Sequence, residues 1–142
     1  MTIQDLDVER ALLGCFLLWN QTYRDNPVVV EDWSTEAHKR VYLTCGELLA
    51  SQQGFDTLTL AYELKRAGNV KEVGGEAYLC SLTDGVLKSM APKYAAIVKS
   101  KAKLRRLAKL LETAQDQAEA GLDLNDILRE LEMGLKQFRE VK

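Results

Sequence analysis

The chain has 142 residues, 46% hydrophobic and 28% charged, with 19 basic against 21 acidic side chains and a formal net charge of -2. That length suits one domain with a modest core of its own, and the near-balanced charge excludes a global pull toward nucleic acid or membrane. No apolar run approaches the roughly 18 to 20 residues that span a bilayer and Met1-Thr-Ile-Gln-Asp lacks a basic signal-peptide region, so a cytoplasmic protein with no membrane partner is expected.

In chain order the pattern is helical. Leu6 to Trp19 is too apolar in its later turns to have a solvated face and reads as a central helix. Asp5, Asp7 and Glu9 fall at its first turn, where the macrodipole favours carboxylates. Asn20 to Trp33 reads as a connecting loop, because Val28-Val29-Val30 has no second strand to pair with. Ser34 is the expected N-cap of a helix to about Leu49, with Ala37, Val41, Cys45 and Leu48 on one face and Gly54 closing it. His38 is the only histidine, which excludes a multi-histidine metal site, and it reads as a hydrogen-bonded structural residue. Cys15, Cys45 and Cys80 are odd in number and widely spaced, so reduced core thiols are expected rather than disulfides or metal ligands. Trp33 and Tyr78 are expected to pack in the core.

The run from Asp56 to Leu82 contains two short helices and a hinge. Asp56 and Thr59 can satisfy the free N–H groups of a helix start, and Gly68 can supply the left-handed residue that ends it. Gly74 and Gly75 form the hinge, and the next helix carries Tyr78, Leu79 and Leu82 on its core side. The glycine pair lacks the third glycine and preceding strand of a phosphate cradle. After Thr83-Asp84-Gly85, Pro92 fits the first turn of a long helix to about Ala120, ended by Gly121; Asp123 then caps a second helix. The two make an antiparallel hairpin. Its apolar stripe, Leu104, Leu107, Leu111, Ile127, Leu128, Leu131, Leu135 and Phe138, has little chain left to cover it, which favours self-association through those residues. Lys99, Lys101, Lys103, Arg105, Arg106 and Lys109 lie in a segment without acidic residues and are expected to face outward, opposite the leucine stripe. They are candidates for contact with single-stranded DNA or an acidic partner, although no aromatic residues are interleaved to stack bases.

These pieces, in order, resemble one family. Asp7-Val8-Glu9 with Leu13-Gly14, Glu31-Asp32-Trp33 with His38, Asp56 with Thr59 and Leu64, and Val73-Gly74-Gly75 with Tyr78-Leu79 carry the likeness, followed by Tyr94-Ala95, Ile97-Val98, Lys101 and Arg105-Arg106-Leu107. The set is similar to the N-terminal domain of the DnaB-type replicative DNA helicases; the Trp19 to Val30 loop does not match residue by residue. The resemblance implies an all-α fold: a small helical globular head, residues 1–90, followed by a C-terminal antiparallel helical hairpin, residues 91–142. It implies a non-catalytic collar that organises a homo-oligomer and docks primase or a helicase loader. The family's motor carries a Gly-x-x-x-x-Gly-Lys-Ser/Thr loop that this sequence lacks, so no cofactor is expected here, and ATP and magnesium would belong to a motor domain elsewhere. Two alternatives stand beside it: a stand-alone homologue that binds and modulates a host helicase or primase, and a direct single-stranded DNA binder through the basic face.

Overall fold

The computed structural model describes residues 3–52 and 54–140. The outer ends of the two expected units, Met1 and Thr2 and then Val141 and Lys142, lie outside the described residues. Among the described residues seven helices follow in chain order: α1 (Leu6–Leu18), α2 (Gln21–Asp25), α3 (Glu36–Gln52), α4 (Thr57–Arg66), α5 (Glu76–Ser81), α6 (Ala91–Glu119) and α7 (Leu124–Glu140). Short 3-10 turns occupy Val30–Asp32 and Lys88–Met90. There is no strand among the described residues, and no helix there is long and apolar enough to cross a membrane.

α1 is central because seven consecutive residues, Ala11 to Leu17, are buried. It packs against α3 on one side and α6 on the other. Phe16, Trp33, Leu60, Leu64, Leu79 and Leu82 are among the fully buried side chains of the single core. Phe16 meets Tyr23 and Trp33 edge to face, at ring separations of 5.2 and 6.3 Å. Gly14 sets how closely the chain after α5 approaches α1: a Cβ there would lie 2.0 Å from the Leu82 carbonyl oxygen.

Three local expectations change. The segment Asn20 to Trp33 is not wholly loop, because it contains α2 and the 3-10 turn. Asn20 anchors this corner: its Nδ2 donates to the carbonyls of Phe16 and Phe55 while its Oδ1 accepts from the Phe55 N–H. The cap of α3 is Thr35 rather than Ser34, since Thr35 Oγ1 accepts from the His38 N–H at 3.2 Å. Cys15 and Cys45 are buried free thiols, whereas Cys80 is an exposed one. Burial pushes the Cys15 thiol up to about 11 and raises Cys45 further.

The caps of the Asp56 to Leu82 region form where expected. Asp56 Oδ1 accepts from the Thr59 N–H at 2.8 Å, and Thr59 Oγ1 accepts from the Asp56 N–H at 2.9 Å. Gly68, Gly74 and Gly75 all have positive φ, at 77°, 105° and 87°. Leu79 and Leu82 are fully buried, and Tyr78 lies half-buried against the core.

Candidate interaction surfaces

α6 spans about 43 Å at 1.5 Å per residue and has two different lives along that length. Its first turns belong to the head: Ala91, Ala95, Val98 and Ala102 are buried, and these mostly small side chains let α6 lie close against α1. The larger Leu104 and Leu111 carry no such burial and are 46% and 51% exposed. Beyond the head, the packing partner of α6 is α7. The turn between them is a Schellman cap, in which the Gly121 N–H donates to Ala118 and the Leu122 N–H to Gln117. Asp123 Oδ2 accepts from the Asn125 and Asp126 N–H groups and starts α7.

The hairpin is held by a few contacts. Ile127 is 8% exposed and sits between the helices; Gln117 donates to Glu130 at 2.7 Å. Gly134 admits the Leu110 side chain, whose Cδ1 would lie 2.6 Å from a Cβ there. Of the eight residues expected to form an association surface, four meet in one groove of about 350 Å³: Leu104, Leu107, Leu135 and Phe138, with Ser100 and Lys103 at its edge. Leu111 and the 43% exposed Leu128 lie outside it, and Leu131 is half-buried. Leu124, 67% exposed, continues the stripe of α7 by one turn, whereas Met133, 63% exposed, stands on the opposite face of that helix. Both were visible in the sequence as apolar positions of the same helix.

The six basic residues do not share one outward face. Arg105 turns inward, its Nη1 donating to the Ile3 carbonyl at 3.0 Å and its Nη2 to the Asp32 carbonyl at 2.9 Å. It ties α6 to the N-terminal segment and to the 3-10 turn. Arg106 lies over the Phe138 ring at 4.9 Å, and Lys103 borders the leucine groove instead of opposing it. Lys99, Lys103 and Arg106 share a second trough of about 480 Å³ with Pro27, Val28, Val29 and Asp32. Lys101 and Lys109 are outside both recesses.

The head contributes a polar relay and a further recess. Glu9 does not act as a cap: its carboxylate is buried, Oε1 accepting from the Ser34 N–H at 3.1 Å and contacting His38 Nδ1 at 2.9 Å. His38 Nε2 lies 2.6 Å from the Tyr78 hydroxyl. In the neutral imidazole, Nδ1–H donates to Glu9 and Nε2 accepts from Tyr78, which satisfies every member. Burial pushes the Glu9 carboxyl upward, but the hydrogen bonds from His38 and from the Ser34 backbone outweigh it and hold it below the ordinary glutamate value. The relay links α1, α3 and α5. On α4, Leu58 and Tyr62 are exposed beside Ala61, Lys65, Glu76 and Cys80. Among the described residues no group of three histidine, cysteine, aspartate or glutamate side chains is placed to hold a metal ion.

A head of this shape with a projecting hairpin has counterparts. The family model of the DnaB-like helicase N terminal domain matches residues 1–100. The chain belongs to this family. The replicative DNA helicase DnaB of Haemophilus influenzae is 31% identical over 131 residues, 89% of this chain and 28% of that protein. The DnaB of Mycobacterium leprae is also 31% identical, over 97% of this chain and 23% of its own length. The chain thus spans less than a third of these helicases. The crystal structure of the N-terminal domain of DnaB helicase from Mycobacterium tuberculosis superposes with a TM-score of 0.86 at 28% identity, covering 96% of this chain and 99% of that one. A DnaB-like replicative helicase, solved in a study of its interactions with primase, shares the fold with a TM-score of 0.76 at 18% identity, over 97% of this chain and 32% of that one.

Proposed function

We propose that this chain acts as the collar of a replicative DNA helicase, assembling with copies of itself through the hairpin and docking primase or a loader, without performing catalysis itself. The observation that carries this reading is the hairpin: its Leu104, Leu107, Leu135 and Phe138 line an open groove, and Leu111, Leu124 and Leu128, which continue the same two helical stripes, remain exposed. Apolar surface gathered in this way contributes on the order of 25 cal/mol per Å² when covered, less the costs of ordering and association. A second hairpin supplies a matching cover. The docking part of the proposal draws on the similar DnaB-like helicase studied with primase. In this reading ATP and magnesium belong to a phosphate-loop motor outside these 142 residues.

Replacing Leu128 and Leu135 together by glutamate is expected to convert the oligomer to monomer while the circular dichroism stays helical. Mass by light scattering is the measurement, and an oligomer of unchanged mass would remove the hairpin from the interface. Purified primase retained on immobilised wild-type chain tests the docking half independently.

A further inference from the structure

The trough at Lys99, Lys103 and Arg106 differs in chemistry from the leucine groove beside it. These residues stand at i, i+4 and i+7 on α6, so their side chains line one face over about 10 Å, two helical turns. Lys99 and Lys103 form no ion pair with any described residue. The Arg106 guanidinium lies over the Phe138 ring, 4.9 Å from its centroid, a contact that uses the π face and consumes none of the N–H donors. Among the described residues the one carboxylate lining the trough is that of Asp32, which is largely buried and accepts the Val29 N–H through Oδ2 at 2.9 Å. The trough is therefore net positive, with one cation held in place before any ligand arrives.

The opposite wall decides what kind of anion fits. It consists of Pro27, Val28 and Val29, aliphatic side chains with Val29 56% exposed. Part of its backbone is engaged: proline has no N–H, the Val28 carbonyl accepts from the Tyr42 hydroxyl at 2.6 Å, the Val29 N–H is taken by Asp32, and the Val29 carbonyl accepts from the Asp32 N–H. Few main-chain groups are left for an added strand, so recognition falls mainly to side chains. Among the described residues no aromatic side chain lines the trough, so they offer no ring on which unpaired bases stack. A row of three cations facing an aliphatic wall matches carboxylates and aliphatic side chains on adjoining faces of one peptide.

We propose that the trough between α6 and the Pro27–Val29 segment is a docking site for an acidic, aliphatic-bearing peptide segment of a partner protein, about two helical turns long. This rests on the docking half of the reading above, and the trough adjoins the hairpin groove, with Lys103 lining both.

The probe is a fluorescein-labelled peptide with glutamates at i, i+4 and i+7 and leucines on the adjoining face, titrated by anisotropy against the full chain at low and moderate salt. Lys99→Gln with Lys103→Gln is expected to weaken binding by about tenfold or more, and Lys99→Arg with Lys103→Arg to restore it. Lys101→Gln with Lys109→Gln removes the same charge outside the trough and is expected to change binding less than about twofold. Equal losses in the two glutamine pairs would reduce the effect to general charge attraction and overturn the site. Tighter binding of an oligothymidylate, with the same dependence on Lys99 and Lys103, would overturn the peptide assignment in favour of nucleic acid. If the peptide fails to bind while Lys99→Gln with Lys103→Gln lowers the oligomer mass, the trough belongs to a second copy and the proposal fails. Leu124→Asn with Leu128→Asn, which adds no charge and lies outside the groove that Lys103 borders, is expected to bind the peptide with unchanged affinity whatever its oligomer mass, which separates failure of the trough from failure of the hairpin interface.

Discussion

Glu9 and Arg105 are charged residues whose surroundings give them roles different from those of their surface neighbours. Glu9 is paired and hydrogen-bonded in the core, so removing His38 leaves a buried carboxylate without its main partner. His38→Ala is expected to cost about 3 to 5 kcal/mol in urea denaturation, and Tyr78→Phe less, about 1 kcal/mol, since one hydrogen bond is lost. The depressed Glu9 value also fixes the sign of a pH effect. Its contribution is complete above the ordinary glutamate value of about 4.3 and is lost as pH falls through the lower, folded value. Glu9→Gln is therefore expected to be less stable at neutral pH and to show a flatter loss of stability on acidification, measured by denaturation midpoints across that range. An equally steep acid limb in the variant would place the effect on other carboxylates. Arg105→Gln is expected to lower stability by about 1.5 to 3 kcal/mol, whereas Lys101→Gln at the surface changes it by less than about 0.5 kcal/mol.

Between elements, close approach is controlled by glycines whose substitutions have unequal consequences. An alanine at Gly14 puts its Cβ against the Leu82 carbonyl, a backbone atom that moves only with the chain following α5. Gly14→Ala is expected to destabilise by about 1 to 3 kcal/mol or more despite its better helix propensity. At Gly134 the obstruction is the mobile end of the Leu110 side chain. There the gain in propensity, about 1 kcal/mol, offsets much of the rearrangement, and thermal denaturation is expected to show a near-neutral change. Equal losses at both sites would mean that the hairpin is packed as rigidly as the head. α6 shows the same contrast along a single helix. Its alanine-rich start completes the head, and its leucine-rich continuation is left for α7 and for a partner.

Across the whole molecule, charge is distributed along the hairpin as well as around it. The α6 segment near the head carries Lys99, Lys101, Lys103, Arg105, Arg106 and Lys109, while the far end carries Glu112, Asp116, Glu119, Asp123 and Asp126. Association of two such hairpins in opposite directions brings unlike ends together. Self-association is expected to weaken as salt rises from low to physiological levels, where the screening length falls to about 8 Å. Sedimentation at several salt concentrations measures this, and strengthening with salt would indicate that apolar contact alone sets the assembly.

The helices other than α2, their glycine ends and the order of head before hairpin were legible in the sequence because they rest on local chemistry: Asp56 and Thr59 cap each other within one turn, and Gly68 and Gly121 are the residues that accept positive φ at little cost. The leucines of the hairpin could likewise be read as a stripe from their spacing. Spacing alone could not tell which stripe of α6 faces the head, since alanines at 91, 95 and 102 and leucines at 104, 107 and 111 both repeat at helical intervals. Nor could it separate Arg105 from Lys101 and Lys109, because the Ile3 and Asp32 carbonyls that bind its guanidinium lie more than seventy residues away in the chain. Local hydrogen bonds and backbone preference determined the elements; only the packing of α6 against α1 and the Val30–Asp32 turn decided which charges are spent inside the protein and which are left to meet a partner.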